Sequence, residues 1–107
     1  MAWLDVRGPH EAAVREVREE AGVVAQVERL VWMSVTAMVV YDNGDQTQYL
    51  DHTFRFRYVS GDPYPVDGEN TDARFFPVDA LPPMPTVHAD RARVAIENRP
   101  EARLGPL

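Results

Sequence analysis

Residues 49–59, YLDHTFRFRYV, alternate along most of their length. Leu50, His52, Phe54, Phe56 and Tyr58 fall on one side, and Asp51, Thr53, Arg55 and Arg57 fall on the other. A period of two belongs to an extended strand with one buried face and one face that is wet or lines a cleft. The chain must therefore build a sheet and cover at least one side of it.

The flanking sequence supplies the cover. Gly8-Pro9 places a turn residue before a proline suited to the first helical position, with Glu11 in the first turn. A helix is expected over Pro9–Ala21, with Ala13, Val17 and Ala21 on a narrow apolar face and Gly22 as the left-handed residue past its end. One or two strands follow between Val27 and Tyr41, and Asn43-Gly44 signals a hairpin because both residues tolerate positive φ. SGDPYPVDGEN reads as a loop, DARFFPV as a short strand ended by Pro77, and LPPMPT as a stiff connector. Thr86 is the expected cap of a second helix over Val87–Asn98, with Val87, Arg91, Val94, Ala95 and Asn98 along one side. Helix, strands, strand, helix is an α+β order, and 107 residues make one domain.

Composition excludes several classes. With 11 basic and 17 acidic groups the net charge is −6, a field that repels a nucleic-acid polymer. The absence of cysteine removes disulfides, thiolate metal sites and a cysteine nucleophile, so the chemistry must come from oxygen and nitrogen groups. The longest apolar stretch, Val35–Tyr41, is too short for a membrane span, and the first residues lack a signal-peptide layout. A soluble cytoplasmic protein with no membrane partner is the expectation. His10, His52 and His88 lack the spacing of a metal site.

Within the first helix, REVREEAG sets Glu16, Glu19 and Glu20 within an arc of about 100°. Such carboxylates repel one another by roughly a few tenths of a kcal/mol per pair unless a cation lies between them. Hard oxygen ligands grouped this way suit Mg²⁺ or Mn²⁺ bridging to substrate phosphates. A solvated Glu-Arg face is the commoner origin of an acidic stripe taken alone, and Glu11 with Arg15 and Arg15 with Glu19 make ordinary i, i+4 pairs.

The order of the residues decides between these readings. REVREEAGV fits Arg-Glu-aliphatic-x-Glu-Glu-x-Gly-aliphatic, with Arg15, Glu16, Val17, Glu19, Glu20, Gly22 and Val23 all in place. Chance yields such a match in a chain this short on the order of once in 100,000. It is the second half of the Nudix box. The downstream segments NGDQTQYLDHTFRFRYVSG, DGEN and ARFFPVDALPP also resemble those of Nudix hydrolases, particularly actinobacterial ones, so the resemblance covers nearly the whole chain.

The resemblance implies a Nudix-like α/β/α sandwich around a mixed sheet. It also implies hydrolysis of a phosphoanhydride bond in a nucleoside diphosphate derivative such as ADP-ribose, a nucleoside triphosphate or a nucleotide sugar, by metal-assisted attack of water. On this reading Glu16, Glu19 and Glu20 are metal ligands for Mg²⁺ or Mn²⁺, Glu19 and Glu20 also being catalytic, and Arg15 orients Glu16 through a salt bridge. Glu69 in DGEN is a candidate further ligand or general base, with a merely solvated loop as the equal alternative. Arg55, Arg57 and Tyr49 share the polar face of the long strand, where they either contact substrate or simply cover the sheet.

The N-terminus departs from the pattern. The full box opens with Gly, five residues, Glu and seven residues before its Arg, which puts Met1 and Arg7 where that Gly and Glu belong. The chain thus begins inside the box, and the strands that precede it in the family have no counterpart. Open sheet edges and exposed apolar surface are the expected result, with three outcomes open: a second copy lends strands in a homodimer, the chain is a truncated or mis-started gene product, or it folds poorly alone. The alternative function is a catalytically impaired Nudix-fold module that binds a nucleotide or a protein partner.

Overall fold

The computed structural model describes residues 8–64 and 73–107. Helix α1 spans Pro9–Ala21, as its proline and glycine boundaries predict. Gly22 has a φ of 71°, and its N–H donates to the Arg18 carbonyl at 3.0 Å. A Cβ there would come within 2.4 Å of the Tyr64 ring. The Tyr64 N–H in turn donates to the Ala21 carbonyl at 2.9 Å. Left-handed backbone and a ring seated on the α-carbon both demand glycine, and together they fix where α1 stops.

Strand β1, Val24–Val35, begins immediately afterwards, three residues before the start expected at Val27, because Val23 and Ala25 are already buried. It runs antiparallel to β4, Leu50–Ser60, from Val24 opposite Ser60 to Val35 opposite Leu50, with three register irregularities along the ladder. Between them, β2 (Val39–Val40) and β3 (Gln46–Thr47) form the expected small hairpin. Its loop uses positive φ at Gly44 alone; Asn43 instead accepts the Asp45 N–H on its side chain at 3.0 Å.

The strand expected over DARFFPV is not formed among its described residues, 73–78, which carry no ladder. Phe75 meets β4 through its ring, edge-on to Tyr58 at 5.3 Å, and Arg74 lies 5.1 Å from the centre of the Phe76 ring. Side-chain contacts anchor this segment where backbone pairing was expected. Helix α2, Thr86–Glu97, also differs at its start, because Pro85 occupies the cap position and its carbonyl accepts the His88 and Ala89 N–H groups at 3.0 Å. Thr86 is therefore the first helical residue and makes no side-chain cap. Strand β5, Arg103–Leu104, pairs parallel with β1 at Trp32 and Met33, which makes the sheet mixed, in the order β4-β1-β5.

The two helices use the two faces of β4. Ala13 and Val17 of α1 adjoin the Phe54 and Phe56 side. On the opposite side Asp51 pairs with Arg91 of α2, and Arg55 donates from Nη1 to the Ala95 carbonyl at 2.7 Å. Arg29 of β1 adds a 2.8 Å bond from Nε to Asn98 Oδ1. The polar face of β4 is therefore a polar interface with α2. Among the described residues only Val23, Ala25, Val31 and Val94 are buried apolar side chains, while Val35, Leu50, Phe75 and Leu104 are more than half exposed. No helix among the described residues is long and apolar enough to cross a membrane.

Candidate functional site

The helical wheel puts three glutamates on one stripe, and the structure divides that stripe between two clefts. Glu16 and Glu20, one turn apart, line a cleft of about 330 Å³ with Asp51, His52, Phe54 and Arg91. Because side chains from both faces of β4 reach this cleft, it opens along the edge of β4 that lacks a strand partner among the described residues. Glu19 lies on the other side of the ridge, in a separate cleft of about 410 Å³ with Arg15, Arg18, Gly22 and Tyr64.

The charges divide in the same way. Arg15 reaches Glu19, Nε to Oε1 at 3.7 Å. Its expected bridge to Glu16 gives way to the i, i+4 pair that helix geometry favours. Among the described residues Glu16 and Glu20 have no hydrogen-bond or ion-pair partner. His52, stacked at 6.2 Å on Phe54, adds an imidazole to their cleft. Its walls thus hold two carboxylates without a counter-ion, a third carboxylate paired with a guanidinium, and an aromatic floor.

The other residues singled out in the sequence sit elsewhere. Arg55 is tied to Glu28 at 2.8 Å and to the Ala95 carbonyl, and Arg57 donates to the Gln26 side chain. The Tyr49 hydroxyl meets that of Tyr41, a contact that pushes the Tyr41 phenol above its ordinary pKa. None of the three lines the cleft of Glu16 and Glu20. Glu69 falls outside the described residues.

A hard divalent cation fits this donor set. No three His, Asp or Glu side chains among the described residues form a metal-binding group. Mg²⁺, however, is commonly held by one or two carboxylates, retained waters and substrate phosphates, and Glu16 with Glu20 supply such a pair. Their oxygens are hard and unneutralised, and α1 fixes their spacing.

Comparison with known families matches residues 5–97 to the NUDIX domain. The chain belongs to the Nudix family. This Nudix chain is also 39% identical over 80 residues to the NAD-capped RNA hydrolases NudC of Pseudomonas aeruginosa strains LESB58 and PAO1. The match covers 70% of the chain and 24% of each relative, so the Nudix chain spans about a quarter of their length. No solved structure matches it.

Sequence reasoning missed Asp51, His52 and Arg91 as members of the Nudix chain's cleft. Asp51 and Arg91 are 40 residues apart, and each read separately as one position on a strand face or a helix side. Their opposite charge was visible, but their meeting depends on how α2 crosses β4.

Proposed function

We propose that the chain is a metal-dependent hydrolase that cleaves a phosphoanhydride bond in a nucleoside diphosphate derivative. The observation that carries this reading is the pair Glu16 and Glu20, unpaired and side by side in a cleft, within a box that matches the family string. Glu16 and Glu20 would hold Mg²⁺ or Mn²⁺, with Glu19 as the third carboxylate of the box. The bound ion would offset the diphosphate charge and activate water as a nucleophile.

The chain's own residues supply positioning. Helix α1, stopped at Gly22 and tied to Tyr64, keeps the two carboxylates one turn apart. Arg15 holds Glu19 by its salt bridge. Phe54 and Phe56 give the cleft an apolar side beside the two carboxylates. The fold of the box is thus a rigid frame for charge, which is most of what phosphoryl chemistry asks of a protein. Glu69 is the proposed additional base or ligand.

The substrate class includes ADP-ribose, nucleoside triphosphates and nucleotide sugars. The NudC relatives add NAD and NAD-capped RNA to the compounds to test. A second reading, a non-catalytic nucleotide-binding module, is favoured by the position of Glu19, held by Arg15 outside the cleft of its two neighbours.

The deciding experiment is hydrolysis of this panel with Mg²⁺, Mn²⁺ or EDTA by the chain and its Glu20→Gln variant. Metal-dependent turnover that the variant loses by about a hundredfold or more is the expected result. No turnover by the folded chain, with nucleotide binding retained, would establish the binding module instead.

A further inference from the structure

We infer that Arg91 is the phosphate-binding arm of the Glu16–Glu20 cleft, with Asp51 as the residue that positions it; this deepens the hydrolase reading and rests on it for the placement of the substrate. An anionic diphosphate entering between Glu16 and Glu20 meets like charge. Among the described residues lining the cleft, Arg91 is the one guanidinium. It comes from α2, whereas the glutamates come from α1, so the cleft carries opposite charges from different elements.

The hydrogen bonds of Arg91 suit this role. Its Nη2 pairs with Asp51 Oδ2, and no other partner engages the guanidinium among the described residues. One contact fixes the group and leaves the remaining donors of a planar fork available to phosphate oxygens. Arg55, on the same face of β4, differs: Glu28 takes its Nε and the Ala95 carbonyl takes its Nη1. The Arg91 side chain is 35% exposed and Asp51 36%, so the pair lies within reach of a ligand. Half-open pairs of this kind add little to stability.

The test is calorimetric titration of ADP, without metal and with Mg²⁺, into the chain and its Arg91→Gln, Arg91→Lys, Asp51→Asn and Glu20→Gln variants, each checked by thermal melting. The chain is expected to bind ADP without metal, and Arg91→Gln to weaken that binding about tenfold or more. Arg91→Lys restores part of the loss, because it keeps the charge and lacks the fork, and Asp51→Asn weakens binding less than Arg91→Gln. Glu20→Gln, which removes a like charge from the cleft, binds ADP without metal more tightly than the parent while losing hydrolysis. ADP binding by Arg91→Gln equal to the parent, or no ADP binding by the parent, overturns the inference. Should Arg91→Gln fail to fold, Arg91→Lys carries the test, and affinity equal to the parent overturns it. The two readings separate cleanly. Binding that depends on Arg91 in a chain that hydrolyses nothing refutes the hydrolase alone. Hydrolysis whose KM is unmoved by Arg91→Gln refutes the arm alone.

Discussion

Glu97 on α2 and the pair Glu16 and Glu20 on α1 are the same side chain in opposite circumstances. Glu97 faces Arg93 at 3.8 Å, Arg99 at 3.3 Å and Arg103 at 3.2 Å. The Arg103 hydrogen bond foremost, then the charges of Arg103, Arg99 and Arg93, hold its carboxyl below the ordinary glutamate range against an opposing effect of desolvation. Glu16 and Glu20 have no such neighbours among the described residues. A neutralised carboxylate fastens structure, and one left without a counter-ion is available to a ligand. Composition cannot separate the two, since both helices mix acidic residues with arginine.

The contrast can be broken most decisively in activity. Glu16→Gln is expected to lower kcat by about a hundredfold or more on whichever panel compound is cleaved, and EDTA to abolish turnover. Glu97→Gln, which does not line the cleft, should leave kcat unchanged, and steady-state kinetics on both variants checks the pair of outcomes. The next largest effect concerns the frame that keeps Glu16 and Glu20 in place. Gly22→Ala puts a Cβ against the Tyr64 ring at a φ of 71°, and a loss of about 1–3 kcal/mol in denaturant unfolding is expected.

A smaller effect sharpens the comparison through pH. Because the Glu97 pKa is lowered on folding, its stabilisation is present above the ordinary glutamate range and is lost as pH falls through the lowered value. The melting temperature of Glu97→Gln should therefore lie below that of the parent at neutral pH, with the gap closing on acidification and in high salt. The smallest effect has the opposite sign. Glu16→Gln removes repulsion from Glu20 and should raise stability by roughly a few tenths of a kcal/mol in the absence of divalent ions, readable by urea titration.

Local chemistry made much of the fold legible. Pro9 and Gly22 marked both ends of α1, and the alternation of residues 50–58 marked β4. Asn43-Gly44 located the hairpin, although Gly44 alone adopts the positive φ. What escaped the sequence depends on tertiary context. Arg103–Leu104 is too short to show any period, and its pairing is visible only beside Trp32 and Met33. Phe75 and Phe76 have strand-like composition, yet their segment meets β4 through the Phe75 ring against Tyr58. The candidate site followed the same rule. Glu16 and Glu20 were readable from one helix, whereas the separation of Glu19 and the arrival of Asp51 and Arg91 required knowing where β4 and α2 lie relative to α1.

The parallel strand β5 has a consequence for how the molecule comes together. The Trp32 indole donates to the Gly105 carbonyl at 2.8 Å across 73 positions of chain, and the Gly105 N–H donates to the Met33 carbonyl at 2.9 Å. During synthesis the central strand is made early, but its second neighbour cannot join until α2 and the residues beyond it have left the ribosome. Contacts between such distant segments carry a loop-closure penalty and slow folding. Until residues 103–105 arrive, β1 has β4 as its one strand neighbour among the described residues, so this pairing is the last step in assembling the three-stranded sheet.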